Sequence, residues 1–344
     1  MRVCVVGAGI IGITSAIAVK EAFPSAEVTV FGETFSPNTT GDGSAGLWGP
    51  YILTNTNPTK VLRWAETTHK WMESFWKSEI APDVGASLLP AYRVTSETDD
   101  YSDPVWAPCV YGFTQLSSSQ LDKLNARRKN KPKYRAGWHF VTYTFEPIKG
   151  LPWLMEKFKR LNGKIIKRKI TDLKELRKEG FDIVINCAGL GCREINNDHT
   201  VNPVRGQVTR IRAPWQFETF IEEDDDGNYV IPNIDTVIMG GTHQEGDFNL
   251  TVNPADSKFI KEGCERLYPS LQKGKMINEW VGLRPARQEV RLEPEIIREP
   301  GKEDFMIVHN YGHGGSGITL CWGCALNVVE ILRQLQKANK PSKL

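Results

Sequence analysis

The sequence predicts an α/β fold in which a dinucleotide-binding parallel sheet is interleaved with a smaller domain built on an antiparallel sheet. Three observations predict it: a strand, a glycine turn and a helix open the chain, strands alternate with helices near both ends, and short strands joined by turns lie between them. Strands that alternate with helices favour a parallel sheet. A length of 344 residues allows one or two domains.

The first element is an apolar strand, residues 2–6, that runs directly into a glycine turn and a helix. Gly7 is expected to make the tight turn, Gly9 to let the backbone approach a pyrophosphate, and Gly12 to let the helix pack closely on the strand. Glu33 follows the next strand about 20 residues further on, where an acid can bind a ribose hydroxyl. The combination favours dinucleotide binding, and the alternative is a βαβ unit with incidental glycines.

The central part of the chain alternates between loop, helix and strand signals. Residues 34–51 are rich in Gly, Ser, Thr and Asn and predict a loop, whereas 61–76 has helical periodicity. Leu151-Pro152 is expected to open a helix that ends at Gly163, because proline suits the first turn of a helix. Residues 164–170 and 181–186 read as strands that complete the parallel sheet.

The later segments predict an antiparallel sheet followed by a return to the nucleotide domain. Residues 207–212, 229–232 and 236–241 read as short strands joined by turns. Residues 305–308 form a strand, and the glycine-rich loop 309–319 opens the last helix. Such a loop places backbone N–H groups and a helix dipole near an anionic or electron-rich ligand.

Composition excludes several classes of protein. A hydrophobic content of 40% and a net charge of +2 are typical of a globular protein and give no field that favours nucleic acid or an anionic membrane. We expect no membrane-spanning helix and no cleavable signal peptide. The 7 cysteines are expected to be reduced thiols. Cys321 and Cys324 have the spacing of a redox pair, but packed thiols inside a helix are the preferred interpretation, and the histidines show no metal-ligand spacing.

The chain ends in Ser342-Lys343-Leu344, which is the peroxisomal address when it stands at a C-terminus. The alternative is a merely polar tail. We therefore expect the peroxisomal matrix as the location and the import receptor as a partner.

Taken together, the glycine turn and several later segments resemble the D-amino-acid oxidase and D-aspartate oxidase family. The resemblance implies an FAD-binding Rossmann-like domain of the glutathione-reductase type and a smaller substrate or cap domain. The segments that carry it are Gly7–Gly12, Ser44–Pro50, Asn186–Gly189, Val204–Gln207, Gly282–Arg287 and His309–Thr319. The domain boundaries we predict are 1–60, 145–205 and 292–340 for FAD, 61–144 and 206–291 for the substrate, and 341–344 for the tail.

The resemblance also implies how FAD is held without a covalent bond. The glycine turn would hold the pyrophosphate, Glu33 the ribose, and the loop after the second strand a phosphate and the flavin ring. The C-terminal glycine loop would run along the flavin, so that its helix stabilises the anionic reduced form. The implied cofactor residues are Gly7, Ala8, Gly9, Ile10, Ile11, Gly12, Glu33, Thr34, Thr39, Thr40, Ala45, Gly46, Leu47, Ile170, Gly314, Gly315, Ser316, Gly317, Ile318 and Thr319.

For the substrate, the resemblance assigns the carboxylate-binding arginine to Arg287 and a carboxylate-binding hydroxyl to Tyr229. The Gly315 carbonyl would accept a hydrogen bond from the amine, and Gly49 and His243 would complete the pocket. The implied reaction transfers the α-hydrogen of a D-amino acid to the flavin as hydride. Hydrolysis of the released imine gives a 2-oxo acid and ammonia, and O₂ as acceptor gives hydrogen peroxide. No side-chain acid or base is implied.

Two plainer interpretations stand beside these assignments. Arg287 lies in an arginine-rich stretch with Arg284 and Arg291, where surface or structural arginines are common. Tyr229 could be an ordinary half-buried strand tyrosine.

The residues that would contact the side chain of the substrate depart from the patterns of both D-amino-acid oxidases and D-aspartate oxidases. Glu222 and His243 stand where D-aspartate oxidases have arginines that bind the side-chain carboxylate. An acidic run, residues 222–226, would repel an acidic substrate if it faced the site, and would otherwise be a solvated loop. We expect neutral D-amino acids to be preferred, with a D-aspartate oxidase as the alternative.

Rival functions are a sarcosine- or glycine-type amine oxidase and a non-catalytic flavoprotein or NAD-binding module. The first class includes enzymes with covalent FAD, and the second would not need a carboxylate clamp. The oligomeric state is left open, with a homodimer among the alternatives.

Overall fold

A computed structural model describes residues 1–51, 53, 55–98, 102–128, 131–298, 300 and 304–338. Its strands are β1 (Arg2–Val6), β2 (Glu27–Gly32), β3 (Ala86–Thr95), β4 (Tyr111–Gln115), β5 (Ala136–Phe145), β6 (Lys164–Lys167), β7 (Ile183–Asn186), β8 (Asn202–Arg212), β9 (Thr219–Glu222), β10 (Tyr229–Pro232), β11 (Val237–Gly240), β12 (Gln244–Glu245), β13 (Lys275–Ile297) and β14 (Phe305–His313). Its helices are α1 (Ile10–Ala22), α2 (Pro58–Trp76), α3 (Ala81–Val84), α4 (Ser118–Asn125), α5 (Pro147–Arg160), α6 (Leu173–Lys178), α7 (Cys192–Ile195), α8 (Pro254–Leu267) and α9 (Gly317–Ala338). The C-terminal tripeptide lies outside the described residues.

One mixed sheet runs through the described part of the chain, in the order β4-β5-β3-β9-β10-β11-β8-β13-β14-β7-β1-β2-β6, with β12 on β8. From β14 to β6 the neighbouring strands are parallel. From β4 to β14 they are antiparallel, apart from the parallel contact of β3 with β9. The predicted α/β class with parallel and antiparallel parts is therefore confirmed. The division into two domains stays a prediction, because one sheet continues through both.

The parallel part forms around the N-terminal glycine turn. A Cβ on Gly12 would overlap the carbonyl oxygen of Gly7, and one on Gly7 would overlap that of Cys187. Gly7 also has φ 110°, which a residue with a side chain rarely adopts. The two glycines therefore let α1 pack directly on β1 and β7.

The long strand β13 joins the two parts of the sheet. Its first half pairs with β8, from Lys275 opposite Arg212 to Ala286 opposite Asn202. Its second half pairs with β14, and the register shifts between Ala286 and Arg291. This shift lets one strand pass from the antiparallel part to the parallel part.

The last helix, α9, is the core helix of the nucleotide side. It packs against α1 and α2, and the rings of Trp322 and Trp71 stack with centroids 5.3 Å apart. Contrary to the expectation from sequence, Gly317–Lys337 is long and apolar enough to cross a membrane by length and composition alone. Since 61% of this window is buried inside the protein, it is equally suited to a core.

Two element boundaries differ from those predicted. Helix α5 begins at Pro147 rather than at Leu151, so that Pro147 takes the first turn and Pro152 lies inside the helix. Strand β14 continues through His313, because its glycine-containing segment still pairs with β13.

Substitution of the turn glycines should separate packing from ligand binding. In Gly12→Ala the new methyl group would overlap the Gly7 carbonyl, and we expect a loss of about 1–3 kcal/mol in the free energy of unfolding. Gly9→Ala is the matched control, since apart from its two chain neighbours no described residue has an atom within 4 Å of the position that its new Cβ would take. Thermal and denaturant unfolding check this, and equal destabilisation of both variants would contradict the packing role of Gly12.

Candidate active site

A cavity of about 730 Å³ opens at the carboxyl ends of β1, β2 and β7 and extends to β10 and β13. Ligands of open α/β sheets bind at this edge, because the loops that follow the strands form a crevice there. The cavity therefore reaches from the glycine turn to side chains of the antiparallel part.

The first end of the cavity is formed by the N-terminus of α1. Gly9 is the residue before the helix and gives it no side-chain cap, and the first turn contains no acidic residue. Unpaired backbone N–H groups at such a terminus attract an anion. Glu33 and Thr34 line the same end, just after β2.

The middle of the cavity is formed by the loop after β2. The loop is held against β5, because Gly46 accepts a hydrogen bond from the Phe145 N–H at 2.9 Å and Leu47 bridges to Thr144. Ala45, Gly46 and Leu47 line the cavity, and so do Thr39, Thr40 and Ile170. Small and apolar residues here leave a surface that suits a flat ring.

A second helix N-terminus faces the cavity from the other side. Gly314, Gly315, Gly317 and Ile318 line it, and α9, which begins at Gly317, has no acidic residue in its first turn. The N–H of Gly314 donates to the Pro285 carbonyl at 3.0 Å, which fixes the loop to β13.

The far end of the cavity holds a tyrosine and an arginine. The ring of Tyr229 packs on Gly240 and Gly241, where any Cβ would be too close to it. Nη1 of Arg284 donates to the Thr242 carbonyl at 3.0 Å. Burial raises the pKa of Tyr229, and the charge of the nearby Arg284 opposes the shift. Within the described chain no carboxylate pairs with Arg284.

Comparison with known proteins identifies the family. The family model described as FAD dependent oxidoreductase matches residues 2–331. The chain belongs to this family. It is 36% identical over 333 residues to D-aspartate oxidase of Homo sapiens, covering 97% of this chain and 95% of that protein. It is 35% identical to D-amino acid oxidase of Dugesia ryukyuensis, covering 97% of this chain and 98% of that protein.

Solved structures show the same fold. Glycine oxidase from Geobacillus kaustophilus superposes with a TM-score of 0.76 at 16% identity, covering 97% of this chain and 95% of that one. The predicted family and FAD-binding fold are both confirmed.

The cavity fits the cofactor of this family, FAD, which is held without a covalent bond. Two helix N-termini without acidic residues face it, and a Cβ on Gly9 would meet only open space. Among the lining residues, Asn310 Oδ1 and His313 Nε2 are buried and find no hydrogen-bond partner in the described part of the chain. The turn after β1 would hold the pyrophosphate and Glu33 the ribose.

Most of the residues assigned to the cofactor by resemblance line the cavity, and three do not. Gly12 lies behind the turn, where it allows close packing. Ser316 Oγ accepts from the Tyr51 N–H at 2.6 Å and donates to its carbonyl at 2.7 Å. Thr319 Oγ1 bonds the N–H and carbonyl of Gly49, both at 3.1 Å. The two hydroxyls therefore position the segment that covers the glycine loop.

Thr39 lines the cavity, but its hydroxyl is already engaged. Oγ1 donates to Asp42 Oδ2 at 2.7 Å, and the backbone N–H of Thr39 donates to the same oxygen at 2.8 Å. The side chain has one proton, so its role in this structure is to order the loop rather than to donate to a phosphate.

Arg287 does not lie at the cavity, and its assignment as the carboxylate-binding arginine needs correction. Its Nε bonds Asp198 Oδ2 at 3.1 Å, and its Nη1 donates to the Glu289 carbonyl at 2.9 Å. Side chains alternate between the two faces of a strand, so an odd separation places Arg284 and Arg287 on opposite faces of β13. Of these two arginines, Arg284 lines the cavity.

The partner of Arg287 stays ionised over the ordinary pH range. Burial would raise the pKa of Asp198, but hydrogen bonds from Thr200 and Tyr311 and the charge of Arg287 lower it to about 2. Arg287 therefore belongs to a structural ion pair.

The other substrate residues predicted from the sequence, Gly49, Tyr229, His243 and Gly315, all line the cavity. Glu222 lines it as well, although its carboxylate is taken by Arg128 and by the Tyr134 hydroxyl, which donates at 2.6 Å. It is neither a free charge at the mouth nor part of a solvated loop.

Sequence reasoning missed Arg284, Tyr51 and Arg93 as cavity residues. The alternation of side chains along a strand could have separated Arg284 from Arg287. Arg93 is the one charged residue in the sequence of β3, and this could have indicated a functional role.

The cysteines of the CxxC pair do not form a reactive site. Cys321 and Cys324 are buried free thiols within α9, and burial raises the pKa of both. Across the described residues, no cluster of His, Cys, Asp and Glu could hold a metal ion.

Proposed function

We propose that this FAD-dependent oxidoreductase deaminates D-amino acids oxidatively, as the names of its relatives indicate for those proteins. The observation that carries the proposal is the unpaired Arg284 beside Tyr229, in the same cavity as the glycine turn. When bound, FAD would supply the acceptor for the α-hydrogen, which leaves as hydride, and O₂ would be the final oxidant. Water would then hydrolyse the imine of the substrate, so that the products are a 2-oxo acid, ammonia and hydrogen peroxide.

Binding of the α-carboxylate is the task of Arg284 and Tyr229. A guanidinium can donate two parallel hydrogen bonds to a carboxylate, which fixes orientation as well as adding affinity. The phenol of Tyr229 remains protonated, because burial raises its pKa, and can donate to the same carboxylate. The Gly315 carbonyl would then accept from the substrate amine.

A side-chain base is not needed for the reaction. His313 lines the cavity, but burial lowers its pKa to about 3 and keeps it neutral. If the amine arrives deprotonated, the protein's contribution is to position the α-carbon and to exclude water.

The direct test is an anaerobic absorption spectrum of the yellow holoprotein. We expect D-alanine, D-aspartate or D-glutamate to bleach the flavin, and L-alanine and sarcosine to leave it unchanged. Reduction by sarcosine or glycine in preference to every D-amino acid would instead indicate an amine oxidase of the glycine type.

Arg284 and Arg287 form a matched pair for testing the carboxylate site. We expect Arg284→Gln to lower kcat/KM by about 100-fold or more, because a charged hydrogen-bonding pair is lost. Arg287→Gln should keep kcat/KM within about threefold and lower only stability, since it breaks the Asp198 pair. Steady-state kinetics on flavin-loaded protein check this. The opposite ranking of the two variants would restore Arg287 as the ligand.

The proposed location is the peroxisome, where an import receptor would read Ser342-Lys343-Leu344. A fluorescent fusion at the N-terminus should co-localise with a peroxisomal marker, and deletion of the tripeptide should leave it diffuse. Unchanged localisation after deletion would rule out this signal. A homodimer is likewise proposed, and sedimentation of the holoprotein tests it.

A further inference from the structure

A second arginine enters the cavity from the antiparallel part of the sheet. Arg93 lies on β3 between Trp138 of β5 and Ile221 of β9. Only 8% of its side chain is exposed, yet its Nε has no hydrogen-bond partner among the described residues. The nearest carboxylate oxygen, on Glu223, lies 3.4 Å from Nε. A buried guanidinium with an unused donor is costly unless a ligand completes its hydrogen bonds.

The loop opposite leaves room for this guanidinium. A Cβ on Gly49 would lie only 2.9 Å from Nη2 of Arg93. Gly49 is fixed there, because its N–H and its carbonyl both bond Thr319 Oγ1. A glycine at position 49 thus leaves the space that the guanidinium of Arg93 occupies.

Arg93 shares its surroundings with the arginine that binds the α-carboxylate. The guanidinium carbon of Arg284 lies 6.0 Å from the ring centroid of Tyr51. Burial raises the pKa of the Tyr51 hydroxyl, while the charges of Arg284 and Arg93 lower it and that of Glu223 raises it. Both arginines therefore lie near one tyrosine that lines the cavity.

Among the described ion pairs, one acid of the run 222–226, Glu223, meets Arg93. Glu222 is bound by Arg128, and Asp224 Oδ1 accepts from the Thr95 hydroxyl at 2.8 Å. Glu223 is the acid of the run that faces Arg93, and its side chain is 27% exposed. A carboxylate of the substrate can replace that of Glu223 beside Arg93. The Glu223 carboxylate then loses little free energy, because it can turn towards water.

We propose that Arg93 determines side-chain specificity by binding a carboxylate at the far end of the substrate. Arg284 would hold the α-carboxylate of a D-amino acid and Arg93 its side-chain carboxylate, so D-aspartate or D-glutamate is the preferred class. The inference rests on the proposed oxidase function and reverses the neutral preference suggested by the sequence. The arginines expected from the resemblance are replaced by Glu222 and His243, and a different strand supplies the charge.

Substitution of Arg93 provides the test. In the flavin-loaded enzyme, Arg93→Gln should lower kcat/KM for D-aspartate and D-glutamate by about 10- to 100-fold and change that for D-alanine by less than about threefold. Arg93→Lys should give an intermediate loss, since it keeps the charge without the planar fork. Arg63→Gln is the control, because Arg63 is an exposed arginine paired with Glu330.

A second variant and a binding measurement guard against a purely structural effect. Gly49→Ala should displace the guanidinium, whose flexible end can move without unfolding the protein, and should weaken the acidic substrates more than D-alanine. Perturbation of the flavin spectrum by glutarate, compared with butyrate, reports binding without turnover. The preference for glutarate should disappear in Arg93→Gln.

The outcomes are distinguishable from failure of the oxidase proposal. In one case the enzyme turns over D-alanine while Arg93→Gln changes kcat/KM equally for all substrates, or for none. Either result would overturn the role of Arg93 and leave the oxidase proposal intact. A flavin that no D-amino acid reduces would overturn both.

Discussion

The strand β13 is the constraint on which the site depends. It is hydrogen-bonded to β8 along one half and to β14 along the other, and β14 in turn pairs with β7 beside the glycine turn. Since a strand cannot shift against two neighbours at once, the distance from Arg284 to the nucleotide end is fixed by the ladder. The bond from the Gly314 N–H to the Pro285 carbonyl adds the C-terminal helix to the same frame.

The charges around the cavity are divided between structural pairs and groups left for ligands. Asp198 and Arg287 form an ion pair outside the cavity, and Glu222 forms an ion pair with Arg128. Arg284 keeps its charge without an acidic partner among the described residues. Because a partly buried cation without an acidic partner has lost some of its hydration in the free protein, binding of an anion there gains more than it would at a paired arginine.

Prediction from the sequence succeeded where the signals are local. The spacing of Gly7, Gly9 and Gly12 determines a turn and a helix N-terminus within one short segment, so the nucleotide end could be predicted. The substrate end brings together Arg93 and Arg284 from strands that are distant in sequence, and no local pattern reports that convergence. Arg284 and Arg287 are the same residue type three positions apart. Which of them faces the cavity depends on how side chains alternate between the two faces of β13, whose register shifts after Ala286.

The two arginines also differ in what a carboxylate must displace. At Arg284 a ligand meets no competing carboxylate among the described residues, whereas at Arg93 it must turn Glu223 away. A substrate with two carboxylates therefore gains most when one of them binds Arg284, whichever of the two it is. The other carboxylate is then left to bind Arg93. Of the two carboxylates, only the α-carboxylate is one bond from the carbon that must face the flavin. A cavity with one unpaired and one exchangeable arginine can thus select the orientation of the substrate as well as its side chain, without any acid or base on the protein.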